Sequence, residues 1–194
     1  MPTLPTARRR SLVLGSLALS AGALSAAAIV DPFHLLLAPW YIGVLVTVTM
    51  ILGTVFLAGL SRRRTGQVLI TVAGVLVTLG WVGLLWFVAQ FIGPGRVVDE
   101  RTAGGYRLVT VEGGAFAGID PVYAVRLRAG SGPFAQDALV WQGLEGGAAP
   151  ADVRFAGDDR VEVVSNGGCG YRSRFDRVTL EVDPVHRPLR LDGC

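Results

Sequence analysis

Between Arg10 and Arg62 the only formally charged side chain is Asp31, and from Thr65 to Gly95 there is none. Runs of this length with so little charge are the mark of segments whose solvent is lipid. The first run, Ser11 to Val30, holds 20 residues and reaches across a hydrocarbon core of about 30 Å at about 1.5 Å per helical residue. The second extends from Phe33 to Leu60. Pro39 suits the first turn of its helix, where a missing N–H costs nothing, so the expected span is 39–60. The third, Gly66 to Gly93, stops before Pro94 and Gly95, which do not continue a helix comfortably.

Composition agrees with this division. The 194-residue chain is 51% hydrophobic and 17% charged, with a mean hydropathy of +0.49, too apolar for an ordinary soluble domain. Residues 1–95 carry six Arg and one Asp, whereas residues 96–194 carry twelve Arg and fourteen acids. A basic pI near 9.3 would suit a nucleic-acid partner. The net-positive half, however, places its arginines in two triplets, Arg8, Arg9, Arg10 and Arg62, Arg63, Arg64, that flank apolar runs. Triplets so placed are topology signals. They put the N-terminus and the connection between the second and third spans in the cytoplasm, and residues 96–194 outside. Trp40, Tyr41, Trp86, Phe87 and Phe91 then fall at the outer headgroup boundary.

An alternative applies to the first run. Arg9, Arg10, Ser11, Leu12, Val13 resembles a twin-arginine export signal, and Ala26, Ala27, Ala28 offers an Ala-x-Ala cleavage pattern. Cleavage would remove one helix and leave the second and third as a hairpin with its tip inside. Within the spans no Asp, Glu, Lys, Arg or His occurs, which disfavours a proton relay, an ion path or a voltage sensor. Ala18, Gly22 and Ala26 make a row of small residues that permits close helix contact. Thr47, Thr49, Thr71, Thr78 and Gln90 are expected to bond their own backbone rather than a neighbouring helix.

Residues 96–194 follow a period of two. Tyr123, Val125 and Leu127 alternate with Ala124, Arg126 and Arg128, and Val153 and Phe155 alternate with Asp152 and Arg154. This is the pattern of half-buried strands. Further strands are expected at Tyr106–Glu112, Ala138–Gln142, Arg160–Ser165, Gly170–Phe175 and Val178–Val182, separated by Gly, Pro, Asn and Asp. Asn166 and Gly167, which accept positive φ, predict a hairpin joining Arg160–Ser165 to Gly170–Phe175. The predicted fold is therefore segregated α+β: a three-helix transmembrane bundle over 1–95, then a small antiparallel sandwich or open barrel over 96–194.

Both cysteines, Cys169 and Cys194, lie in the outer half, where an oxidising compartment permits a bond. A disulfide pinning the C-terminus to the Asn166–Gly168 turn is predicted, worth about 3 kcal/mol by loop-entropy models. A metal site from Cys169, His186, Cys194 and a carboxylate lacks any close Cys or His pair, and none is expected. No nucleophile elbow, zinc-protease signature, Walker loop or dinucleotide fingerprint occurs, and Gly113–Gly118 lacks a strand–turn–helix setting. No cofactor is implied. His34 falls between two spans, so an acid–base reading rests on His186 with a carboxylate. Asp158 with Asp159, and Asp99 with Glu100, read as turn and charge-balancing pairs.

The remaining surface signal is arginine at outward strand positions. Arg126 and Arg128, Arg154, and Arg172 and Arg174 form a candidate anion-binding patch if their strands share a face. Pairing with strand carboxylates is the competing expectation. The Arg-bracketed, Ala-rich first span, the two further spans, Gly105, Tyr106, Arg107 and the run Asp120, Pro121, Val122, Tyr123, Ala124, Val125, Arg126 resemble small three-span membrane proteins of high-GC bacteria with a C-terminal extracytoplasmic β domain. The resemblance implies a plan and brings no activity. The expectation from sequence is a membrane-anchored β domain outside the cell membrane, acting in binding or assembly with the bilayer or another membrane or envelope protein, without nucleic acid and without catalysis. The alternatives are an envelope hydrolase using His186, and an auxiliary subunit of a transporter or signalling complex.

Overall fold

A computed structural model describes residues 6–90, 95–113 and 122–188, with side chains from residue 12 onward. Three helices come first: α1 (Thr6–Val30), α2 (Ala38–Leu60) and α3 (Arg64–Ala89). All three are long and apolar enough to cross a membrane. The chain divides into two compact units, one made of the helices and the other of the strands together with residues 32–37.

Within the helical unit α2 lies between α1 and α3. The side of α1 turned inward is built from small residues: Gly15, Ala18, Ala21, Gly22 and Ser25 recur at helical spacing, and Ala21 and Ser25 are buried. The predicted small-residue row is met at Ala18 and Gly22 but continues through Ser25 rather than Ala26, which is exposed. Close approach follows from size. A Cβ on Gly15 would stand 3.0 Å from the Phe56 ring, and one on Gly74 of α3 would overlap the Thr54 side chain of α2. Such contacts replace the hydrophobic drive that is absent when the solvent is itself apolar. The hydroxyls of Thr47, Thr49 and Thr78 donate to carbonyls one turn back in their own helices, as expected, while Thr49 also meets Ser25 Oγ of α1 at 3.3 Å. Outward positions such as Leu19, Trp40, Leu69 and Trp86 are apolar and exposed.

Among the described residues the second unit has eight strands in two antiparallel sheets. β1 (Arg96–Ala103), β2 (Tyr106–Gly113), β3 (Val122–Ala129) and β4 (Gln136–Gln142) form one in sequential order. β5 (Asp152–Phe155), β6 (Arg160–Val164), β7 (Gly170–Phe175) and β8 (Val182–Asp183) form the other. The inward residues of both sheets make one core, comprising Leu108, Val125, Leu127, Val140, Trp141, Val153, Val161, Val163 and Phe175, closed by Leu180. Among the described residues, therefore, two open sheets and no closed barrel follow the helices.

Register confirms the predicted C-terminal hairpin, with Arg160 opposite Arg174 and Val164 opposite Gly170. The turn itself differs: Gly168, at φ +80°, supplies the left-handed residue rather than Asn166 or Gly167. The loop between Ser165 and Cys169 is three residues long, and its third position is the one that needs glycine. Two other expectations change. β1 has no alternating pattern to reveal it, because it is an edge strand exposed at every residue. The predicted strand at Val178–Val182 is mostly a loop, and only its last residue enters β8. Asp176 is the cause: its carboxylate accepts the Val178 and Thr179 N–H groups, each at 2.8 Å, and turns the chain before pairing begins.

Leu127 is fully buried between the sheets. Leu127→Ala is expected to destabilise the β unit by about 2–5 kcal/mol, measured as a lowered urea midpoint in the near-ultraviolet circular dichroism of the detergent-solubilised chain.

Candidate binding cleft at the β4 edge

β4 is the last strand of its sheet, so one row of its backbone groups has no strand partner. Two segments remote in sequence take up that row. At its start, Leu35 bridges Gln136, the Leu36 N–H donates to the Ala135 carbonyl at 2.8 Å, and the Asp137 N–H donates to the His34 carbonyl at 2.7 Å. At its end, the His186 N–H donates to the Val140 carbonyl and the Gln142 N–H to the His186 carbonyl, both at 3.0 Å. The segment joining α1 to α2 is therefore part of the β unit.

Side chains fasten this junction. The Gln136 amide nitrogen donates to the carbonyls of Phe33 and Val178, each at 2.9 Å. His34 Nδ1 lies 3.1 Å from the Thr179 carbonyl; a carbonyl only accepts, so the proton of that bond is on Nδ1. His34 has φ +49° and Leu180 φ +59°, left-handed conformations uncommon outside glycine. Leu180 is held there because its side chain is wholly buried and its N–H donates to the Asp176 carbonyl at 3.0 Å. The same three donors that turn the loop, the Val178 and Thr179 N–H groups and the Thr179 hydroxyl, hold the Asp176 carboxyl below its ordinary pKa.

Beside this junction lies an open cleft of about 480 Å³. Its walls are His34 from the connecting segment, Ala138 and Leu139 from β4, and Glu181, Val182, Val185 and Arg187 from the C-terminal stretch. A lining of apolar side chains with one carboxylate, one guanidinium and one imidazole suits a small amphipathic group or a partner side chain. Sequence reading set His34 aside as an interhelical residue. Nothing local marks it, because Phe33, Leu35, Leu36 and Leu37 read as the beginning of the second apolar run.

The five arginines of the candidate patch divide between the sheets. Arg126 and Arg128, on β3, both reach the Asp137 carboxylate, at 2.8 and 3.3 Å. On the other sheet Arg154, Glu162 and Arg172 stand directly opposite one another across β5, β6 and β7. Glu162, 7% exposed, accepts from Arg154 at 2.7 Å and from Arg172 at 3.1 Å. Arg174 pairs with Asp159 at 3.1 Å. Each of the five thus faces a carboxylate, and Glu162 and Asp159 are held below their ordinary pKa by the side-chain hydrogen bonds from these arginines.

His186 is occupied structurally. Its Nε2 lies 3.1 Å from the Arg172 carbonyl and its ring tilts against Tyr171, with centroids 5.1 Å apart. Among the described residues no carboxylate is bonded to it, and no group of metal-ligating side chains occurs. Cys169 is buried beside the β6–β7 turn; its predicted partner Cys194 lies outside the described residues, as do Phe91, Pro94, Asp120, Pro121 and 114–118 of the glycine-rich loop. Arg62 and Arg63 stand exposed between α2 and α3, and Arg64 opens α3. Arg8, Arg9 and Arg10 fall in the opening turns of α1. Comparison with protein-family models, curated proteins and solved structures yields no match to this chain.

The ion-pair row sets a pH dependence. Because Arg154 and Arg172 hold the folded Glu162 carboxyl below its unfolded value, they contribute stability above that value and lose it as pH falls through the lowered one. Melting temperature should therefore fall as the solution is taken from neutral into the acid range. Glu162→Gln should start lower at neutral pH and show a shallower acid decline, read by thermal circular dichroism across a pH series.

Proposed function

We propose that this chain is a multi-pass membrane protein that holds its β unit on the extracytoplasmic side and works there by binding or assembly with envelope components. The observation carrying this reading is the closure of β4 by the segment between α1 and α2. A β unit hydrogen-bonded to that segment shares its side of the membrane. The chain reaches the same unit again after α3, and α2 and α3 as a membrane-crossing hairpin return it to the side from which α2 began. The order of the spans and the contact inside the β unit are thus mutually consistent.

Orientation rests on charge. Arg62, Arg63 and Arg64 lie at the connection between α2 and α3, which the spanning role proposed for those helices puts on the side opposite the β unit. Basic residues in short connections are retained in the cytoplasm, which places the β unit outside. The cleft beside His34 is the proposed contact point for a membrane or envelope partner, since its lining comes from three chain segments and mixes apolar side chains with both signs of charge. His186 serves as a clasp on β4 in this reading, and catalysis has no part in it.

A reporter phosphatase that is active only outside the cytoplasm, fused after Cys194, is expected to be active in whole cells; activity confined to a cytoplasmic reporter at the same position would refute the orientation. In the oxidising compartment so assigned, Cys169 and Cys194 are proposed to be joined. Alkylation without reductant should add no mass to the purified chain, whereas labelling at both cysteines would dismiss the bond.

A further inference from the structure

Four exposed apolar residues lie on three segments that meet at the junction between β4 and the α1–α2 connection. Phe33 is 49% exposed and Leu36 41%, both in the connection; Phe134, in the short 3₁₀ turn Gly132–Phe134, is 76% exposed, and Val178, in the Asp176 loop, is 71% exposed. Hydrogen bonds bring their backbones together. The Leu36 N–H bonds the carbonyl of Ala135, the residue after Phe134, and the Gln136 amide bonds the carbonyls of Phe33 and Val178. A soluble domain has no reason to collect exposed aromatic and aliphatic side chains from distant parts of its sequence at one place.

Chain connectivity identifies what covers them. α1 ends at Val30 and α2 begins at Ala38. Every residue from 32 to 37 is thus within a few peptide units of a span, and each unit reaches at most about 3.6 Å. At its middle, four units from either span, the connection reaches at most about 14 Å from a helix end, against about 5–8 Å for the polar layer on each side of the hydrocarbon, so its outer limit lies within several ångströms of that layer. Phe134 and Val178 belong to segments bonded directly to it. Around the junction, the carbonyls of Phe33, His34, Ala135, Val178 and Thr179 all accept hydrogen bonds from protein donors, and the Leu36 N–H is likewise satisfied. Internal pairing of this kind, the rule for buried backbone in any fold, also lets the junction enter a layer poorer in water than bulk solvent without leaving polar groups unpaired.

We infer that Phe33, Leu36, Phe134 and Val178 form an interfacial anchor that seats the β unit in the outer headgroup layer of the bilayer. The inference rests on the spanning role of the helices proposed above. The anchor fixes the depth of the neighbouring cleft, to which His34 contributes a wall, so that the cleft opens at the level of lipid headgroups and of partners lying against them.

The test uses the full chain in lipid nanodiscs, with trifluoromethyl-phenylalanine introduced singly at Phe134, at Val178 and, as a reference, at Ile51 on the exposed side of α2. Fluorine NMR is recorded with a doxyl-labelled lipid and, separately, with a water-soluble nickel chelate. Signals at 134 and 178 should be lost to the lipid-borne label more strongly than to the chelate, as at 51. Stronger loss to the chelate places these residues in water and overturns the anchor. Protection from both reagents means protein covers them, which also overturns it. If position 51 itself is untouched by the lipid label, the spanning helices fail and the anchor fails with them. Loss at 51 without loss at 134 and 178 leaves the spans standing and rejects the anchor alone.

Discussion

An unpaired strand edge must be covered, and in this chain the cover for β4 comes from outside the strands' own sequence. The first half of the edge is closed by residues 34–36, the second half by His186. Each backbone bond there satisfies a donor or acceptor that would otherwise be a template for association. The consequence is architectural: the segment between two apolar helices becomes part of a β unit whose strands begin sixty residues later in the chain. The cleft, the His34 position and the junction beside Phe134 all depend on that closure.

The two units are stabilised by opposite distributions of apolar surface. In the β unit, large aliphatic side chains such as Leu108, Val125 and Leu127 are removed from solvent, and the charged side chains lie in cross-strand pairs. The helices carry most of their apolar side chains outward and meet through glycine, alanine, serine and threonine. Hydrophobic burial drives the first arrangement, whereas close van der Waals contact between small residues serves the second when the surroundings are lipid. Two physically different solvents explain why one chain uses both rules.

The sequence was readable wherever a strong local period existed. Helix positions emerged within a few residues because charge-free runs are long, and β5 and β7 emerged with their observed bounds because apolar and polar residues alternate between glycine-rich turns. β1 escaped notice since an edge strand exposed on both faces needs no alternation. The Asp176 loop imitates a strand in its Val178, Leu180 and Val182 spacing, while the competing side-chain-to-backbone bonds are decided by a single carboxylate. The candidate arginines were found by their outward positions, but pairing with Asp137, Glu162 and Asp159 depends on strand register.

Segregation into apolar helices and an alternating β segment was determined by the sequence alone, since both follow from periodicity and from the cost of placing charge or unpaired backbone in lipid. Which remote segments meet was decided only in three dimensions. The capture of residues 32–37 by β4, the division of the arginines between two sheets and the use of His186 as a clasp each pair residues far apart in the chain. Such contacts are fixed by sheet order and by which backbone groups remain unsatisfied after folding, quantities that no local pattern encodes.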